Sequence, residues 1–215
     1  MNLNLKPACL PEIEALRQRC KALAMLDAMI CPEWDYRYYS FNANWSAGEE
    51  MASMRNGQGD GWFLLFDKAG AALKGFAHES DVAKSDHAKR IQIEVPSIFS
   101  SFLSEPAFSM GDATFCYWRS VRAEEWSKVS AKDPESDDGS TALLALLVDS
   151  AESYVEFASD YFEENISIER VRCVYSLQPI DERLVSSVNS GLAIADALAM
   201  AREIGYPIAD GITGN

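Results

Sequence analysis

No stretch of the chain approaches the ~20 consecutive apolar residues that a membrane-spanning helix needs. Residues 1–7 have neither the basic start nor the apolar run of a secretory signal, so a cytoplasmic protein is expected. Basic residues are scarce: 19 against 33 acidic ones, a formal charge of −14. That balance lacks the positive footprint of a nucleic-acid binder and repels anionic membrane surfaces. Histidine occurs only twice, at 78 and 87. The five cysteines, at 9, 20, 31, 116 and 173, form no Cys-x-x-Cys pair, which argues against a zinc or disulfide framework and for buried thiols. The equal spacing of Cys9, Cys20 and Cys31 is chance, because Pro11 and Pro32 bracket the intervening helix and leave the outer two outside it. Neither a Gly-x-Gly-x-x-Gly loop nor a Gly-x-Ser-x-Gly elbow is present, and no cofactor is expected.

What the chain does have is enough apolar surface to fold. Of its 215 residues 48% are hydrophobic and 11% aromatic, which offsets the ordering entropy that would leave so acidic a chain disordered. Pro11 reads as the first residue of a helix reaching about Met29, with Ile13, Leu16, Cys20, Leu23 and Asp27 on one face. The period then changes. Aromatic residues at 36–41 predict a strand, and runs at 61–67 and 71–78, joined through Lys68-Ala69-Gly70, predict a hairpin with a three-residue connection. A further strand is expected at 113–119, continuing through a turn towards Trp126, with a short helix at 96–103 facing Ile98, Phe99 and Phe102 inward. Beyond Gly139 the pattern is helical, at about 142–148, 152–164, 168–174, 181–188 and 192–204. Strands in the first half and helices in the second predict an α+β fold: an N-terminal helix, an antiparallel sheet with a central hairpin, and a helical C-terminal half. It reads as one domain over residues 1–215, strand-rich to about 130 and helical from about 140. Leu16, Leu23, Leu64, Phe66, Phe76, Phe115, Val155, Phe157 and Phe162 are the expected core.

The strings Tyr38-Tyr39-Ser40-Phe41, Trp45, Gly48-Glu49-Glu50-Met51-Ala52-Ser53-Met54-Arg55-Asn56-Gly57 and Gly75-Phe76-Ala77-His78-Glu79-Ser80 resemble those of a family of uncharacterised bacterial proteins. So do Tyr154-Val155-Glu156-Phe157-Ala158, Val174-Tyr175 and Glu203-Ile204-Gly205-Tyr206-Pro207. The resemblance implies bacterial origin and a single folded unit, and it supplies no activity. The layout, acidic α+β with a tryptophan-bearing hairpin, is also similar to immunity proteins of the SMI1/KNR4 type.

Three groups of residues carry candidate chemistry. The segment Asn56-Gly57-Gln58-Gly59-Asp60-Gly61 partly matches a calcium loop ending at Asp67, but neutral amides replace two early ligands and Asp replaces the closing Glu, so no metal is expected. His78-Glu79-Ser80-Asp81, at a strand end, gathers an imidazole, carboxylates and a hydroxyl. Together with Glu50 and Asp60 it defines a hydrolase-like alternative centred on His78. Strand geometry puts His78 and Glu79 on opposite faces unless the chain bends. Glu49 and Glu50 are expected to start a short helix and pair with Arg55, and His87 to be exposed.

The strongest asymmetry is acidic. Residues 133–164 contain ten carboxylates and no lysine or arginine. Glu152, Glu156 and Asp160 fall at i, i+4 and i+8 of a predicted helix, where like charges oppose the helix instead of supporting it. A solvated face explains this pattern, and so does a basic protein partner. Three functions follow: a non-enzymatic immunity-like or regulatory binding protein using the ridge, with Trp45 or Trp62 as exposed anchors; the His78-centred hydrolase; and a ligand-binding domain with an aromatic pocket formed by Tyr36, Tyr38, Trp62 and Trp118. The first is the expectation carried forward.

Overall fold

The computed structural model describes residues 10–211. A helix, α1 (Ile13–Ile30), precedes a six-stranded antiparallel meander of β1 (Tyr39–Ser46), β2 (Glu49–Arg55), β3 (Gly61–Asp67), β4 (Gly70–Phe76), β5 (Phe115–Ser120) and β6 (Ser127–Lys128), in which each strand pairs with the next. Between β4 and β5 lie α2 (His87–Glu94) and α3 (Ser100–Ser104). After the sheet come α4 (Ser140–Leu143), α5 (Ala145–Val148), α6 (Ala151–Tyr161), α7 (Ile168–Tyr175), α8 (Glu182–Val188) and α9 (Ile194–Ile204). The fold is α+β, with an N-terminal helix and a helical C-terminal half.

Alternation along the strands divides the core into two. Tyr39, Phe41, Ala52, Met54, Trp62, Leu64, Phe66, Leu73, Phe115 and Tyr117 face α1 and the C-terminal helices, while Met51, Leu65, Ala72 and Cys116 face α2, α3 and their flanking turns. Residues 22–29 of α1 are buried all round because the helix is sandwiched between β1 and the helices α7 and α9. Leu16, Leu23, Leu64, Phe66 and Phe115 are core as expected, whereas Phe76, Val155, Phe157 and Phe162 are half-buried at its margin.

Several local expectations are corrected. α1 begins two residues after Pro11, with Glu12 as N-cap, and its first helical bond runs from Leu16 N–H to Glu12 carbonyl. The aromatic run at 36–41 is not one strand: Trp34–Tyr36 form a 3-10 turn, and the N–H groups of Tyr38 and Tyr39 donate to the Asp27 carboxylate at 3.1 and 2.6 Å where β1 begins. Glu49 and Glu50 start a strand, because β1 and β3 pair with that segment on both sides and override its helix-favouring Glu, Met and Ala. The hairpin is present, but Asp67 pairs with Gly70, so only Lys68 and Ala69 are looped out. Asp67 Oδ1 accepts from the Ala69 and Gly70 N–H groups. Gly70 has φ 145° and a Cβ there would overlap the Arg119 carbonyl oxygen on β5.

Ile98 points outward at 56% exposure while Phe99 and Phe102 face the core. His87 is 2% exposed, drawn under by α2, which the sequence reading did not identify. Cys20 and Cys116 are buried thiols, Cys31 and Cys173 only half-buried, and Cys9 lies outside the described residues. Among the described residues no helix is long and apolar enough to cross a membrane.

Candidate functional site

The registers place the start of β1, the end of β2, the start of β3, the end of β4 and the start of β5 at one end of the sheet. The chemistry-bearing residues concentrate there. β4 stops at Phe76 and the chain bends, so His78 sits in a turn opposite the loop that feeds β3. Asp60, the last residue of that loop, receives the His78 N–H at 2.8 Å and lies 2.7 Å from His78 Nδ1 on the same oxygen. Its second oxygen accepts from Asn56 Nδ2 at 2.8 Å, and Asn56 Oδ1 closes the loop on the N–H groups of Gln58 and Asp60.

These bonds to His78 and Asn56 outweigh desolvation and hold the Asp60 carboxyl below its ordinary pKa. The Asp60 hydrogen bond raises the pKa of His78. The carboxylate thus fixes the ring through Nδ1 and leaves Nε2 facing outward, 3.9 Å from Glu79 Oε1.

The other residues of the hydrolase-like alternative do not join this pair. Ser80 is tied up locally, its Oγ accepting from Val82 N–H at 3.1 Å. Glu50 lies at the far end of the sheet opposite Phe66 and is held by Arg17 at 2.7 Å and Lys21 at 2.8 Å. Asp60 and Asp67 cap opposite ends of β3, so the partial calcium motif is drawn out along a strand and its carboxylates cannot converge. Among the described residues no three His, Cys, Asp or Glu side chains gather as a metal site. The aromatic pocket is also not formed: Trp62 is buried against the helical layer, its Nε1 donating to Leu143 carbonyl at 2.9 Å, while Trp118 packs on the opposite face of the sheet. Trp62 is therefore no surface anchor, and Trp45 is half-buried with its ring stacked 6.2 Å from Phe108.

The acidic ridge lies on α6, which reaches the same end of the sheet. The rings of Phe157 and Tyr161 pack edge-on to Tyr38 at 4.7 and 5.0 Å. Glu152, Glu156 and Asp160 are all exposed. Glu152 is paired at 2.5 Å with Arg172 of α7, a partner twenty residues away that local counting of charges misses. Hydrogen bonds from Ser150, from its own backbone and from Arg172 hold its carboxyl at a pKa of about 2. Glu156 and Asp160 form no ion pair among the described residues.

At this end of the sheet the turn Trp34–Tyr36 presents two exposed aromatics: Trp34, at 53%, which the sequence reading did not single out, and Tyr36, at 70%, which it had assigned to a strand and to the aromatic pocket. The readable signal was their place: acid alternates with aromatic in Glu33-Trp34-Asp35-Tyr36, in a helix-to-strand connection after Pro32, and connections run over the surface.

Two further polar groups are internal. Lys128 Nζ contacts Asp138 Oδ2 at 2.6 Å and Ser140 Oγ at 3.1 Å, and Ser140 donates to Asp138 Oδ1 at 2.6 Å. Although this places a serine beside a lysine, Asp138 keeps the lysine charged and Ser140 is 1% exposed, so the arrangement ties β6 to the start of α4 and offers no activated nucleophile. Asp27 is fully buried, accepting from Tyr154 hydroxyl at 2.7 Å and from the two backbone N–H groups of β1's approach. It binds α1, β1 and α6 into one frame behind the acidic and aromatic surface. No protein-family model, curated protein or solved structure matches this chain.

Proposed function

We propose that the protein is a non-enzymatic binding factor, of an immunity-like or regulatory kind, whose acidic α6 face engages a basic protein. The observation that carries this reading is the exposure of Glu156 and Asp160 without ion-pair partners among the described residues, on a helix that lies within a 32-residue stretch devoid of lysine and arginine. An uncompensated run of one sign costs helix stability through like-charge repulsion and gains in return a field that steers a cationic partner. The same helix packs on Tyr38 through Phe157 and Tyr161, an aromatic contact that limits the ordering cost of association.

Affinity capture from the native cell with wild type and with Glu152→Gln/Glu156→Gln/Asp160→Asn tests it. A basic protein retained in stoichiometric amount by wild type, and lost both in the variant and at raised salt, is expected. Equal recovery of every protein by the two forms overturns the reading.

The hydrolase-like alternative has one observation in its favour, the buttressed Asp60–His78 pair, whose geometry is that of a general base held by an orienting carboxylate. No hydroxyl or thiol nucleophile is bonded to His78 among the described residues, so in this reading the base would have to act on water. Hydrolysis of activated esters that disappears in His78→Ala would decide for it.

A further inference from the structure

We propose that the exposed turn Trp34–Tyr36, together with Tyr161, is the anchor on which an arginine-rich segment of the basic partner seats. This rests on the binding reading above and names the contact that would hold the partner once the ridge has drawn it in. Six large apolar side chains are exposed among the described residues, and the three aromatic ones, Trp34, Tyr36 and Tyr161, belong to this end of the sheet. Trp34 and Tyr161 are linked through Arg55 and Tyr38. The Arg55 guanidinium lies 3.8 Å from the Trp34 ring centroid, the Arg55 backbone N–H donates to Tyr38 carbonyl at 2.9 Å, and the Tyr38 and Tyr161 rings are 5.0 Å apart.

The turn is held in place from beneath. Arg55 donates to the carbonyls of Trp34 and Arg37, and buried Arg37 donates to the carbonyls of Cys31 and Pro32. Both cations of this region are thereby turned onto backbone oxygens, while Glu33 and Asp35 on the turn and Asp160, Glu163 and Glu164 beside Tyr161 are exposed. The resulting surface is aromatic, anionic and preorganised, the combination that suits guanidinium groups stacking on rings and pairing with carboxylates. The chain makes the same contact internally, with Arg19 over Tyr175 at 4.1 Å. A second copy of this chain would bring the same acidic surface and a charge of −14 to the contact, and an anionic lipid surface would be repelled by Glu33 and Asp35, so neither fits as well as a basic protein segment.

The test uses the intact protein and two synthetic amphipathic helical peptides of equal length, one with arginine and one with glutamate on the polar face, titrated by calorimetry. Trp34→Ala/Tyr36→Ala and Glu156→Gln/Asp160→Asn are compared with wild type. Because all four residues are exposed, unchanged far-ultraviolet circular dichroism checks that each variant folds. The arginine peptide should bind wild type and lose about tenfold or more in affinity with the aromatic variant. Acrylamide quenching should fall on binding, since Trp34 is the one exposed tryptophan among the described residues. Loss of affinity in the acidic variant alone, with the aromatic variant binding like wild type, overturns the anchor and leaves the ridge reading standing. Equal binding by all three forms, or no binding, overturns both. Binding of the glutamate peptide, or Trp34-dependent binding to phosphatidylcholine vesicles, overturns the anchor as a site for arginine.

Discussion

Replacing Asp27 with Asn should flatten the dependence of stability on pH, and its size follows from the geometry of the buried clamp. The Asp27 carboxyl is fully buried, and burial pushes its pKa from 3.8 up to about 7 against the pull of Tyr154, the Tyr39 and Tyr38 N–H groups and Arg37. An acid whose folded pKa lies above its unfolded value gives stability that is fully present below the unfolded pKa and is lost as pH rises through the folded one. Over the whole interval that is about 4 kcal/mol, of which about 2 kcal/mol falls between pH 5.5 and 8.

Asparagine imitates the protonated acid: its oxygen can accept from the two backbone N–H groups while its amide donates to the Tyr154 hydroxyl, which turns from donor to acceptor. Urea denaturation of wild type and Asp27→Asn at pH 5.5 and 8 measures the difference. Titration of His78 and His87 is common to both proteins and cancels. Wild type should lose about 2 kcal/mol more than the variant across this range. Parallel stability curves would refute the assignment of Asp27 as a group ionising at neutral pH within the fold.

Leu64→Ala and Phe66→Ala, at sites 0% and 1% exposed, should each cost about 2–5 kcal/mol, and unchanged denaturation midpoints would contradict the core described above. Lys74, 3% exposed beneath the turns that precede β5, reaches one acceptor, the Ser109 carbonyl at 3.4 Å, and burial lowers its pKa. Lys74→Met should therefore be neutral or gain up to about 2 kcal/mol, and a loss of that size in chemical denaturation would show the ammonium to be well satisfied. Calcium should not raise the melting temperature, because Asp60 is engaged by His78 and Asn56 and lies a strand's length from Asp67; a rise reversed by chelator would contradict this.

The hairpin of β3 and β4 was legible because two short, largely apolar runs flank a turn whose chemistry is local. The nearness of Asp60 to His78 was legible in principle: counting outward from Asp67 opposite Gly70 puts Gly61 opposite Phe76 and so brings Asp60 opposite Ala77, one residue from His78. β2 was hidden because Glu, Met and Ala favour helix, and its strand character comes from neighbours on both sides. Asp27 looked like a polar interruption of an apolar helix face, since the donors that justify it are eleven to 127 residues away. The burial of His87 rests on tertiary packing of α2, and the neutralisation of Glu152 on Arg172 of another helix; neither leaves a periodic trace. Trp34 was passed over because an exposed aromatic in a connection has no pattern beyond its place.

The central claim, that the α6 face steers a basic partner, is tested most directly by the association rate constant of the captured partner with wild type and with Glu156→Gln/Asp160→Asn, measured at low and at high salt. The rate for wild type should fall steeply as salt rises, whereas the variant should associate more slowly at low salt and depend on salt less. Equal rates with the same salt slope would contradict it and leave the ridge a solvated face.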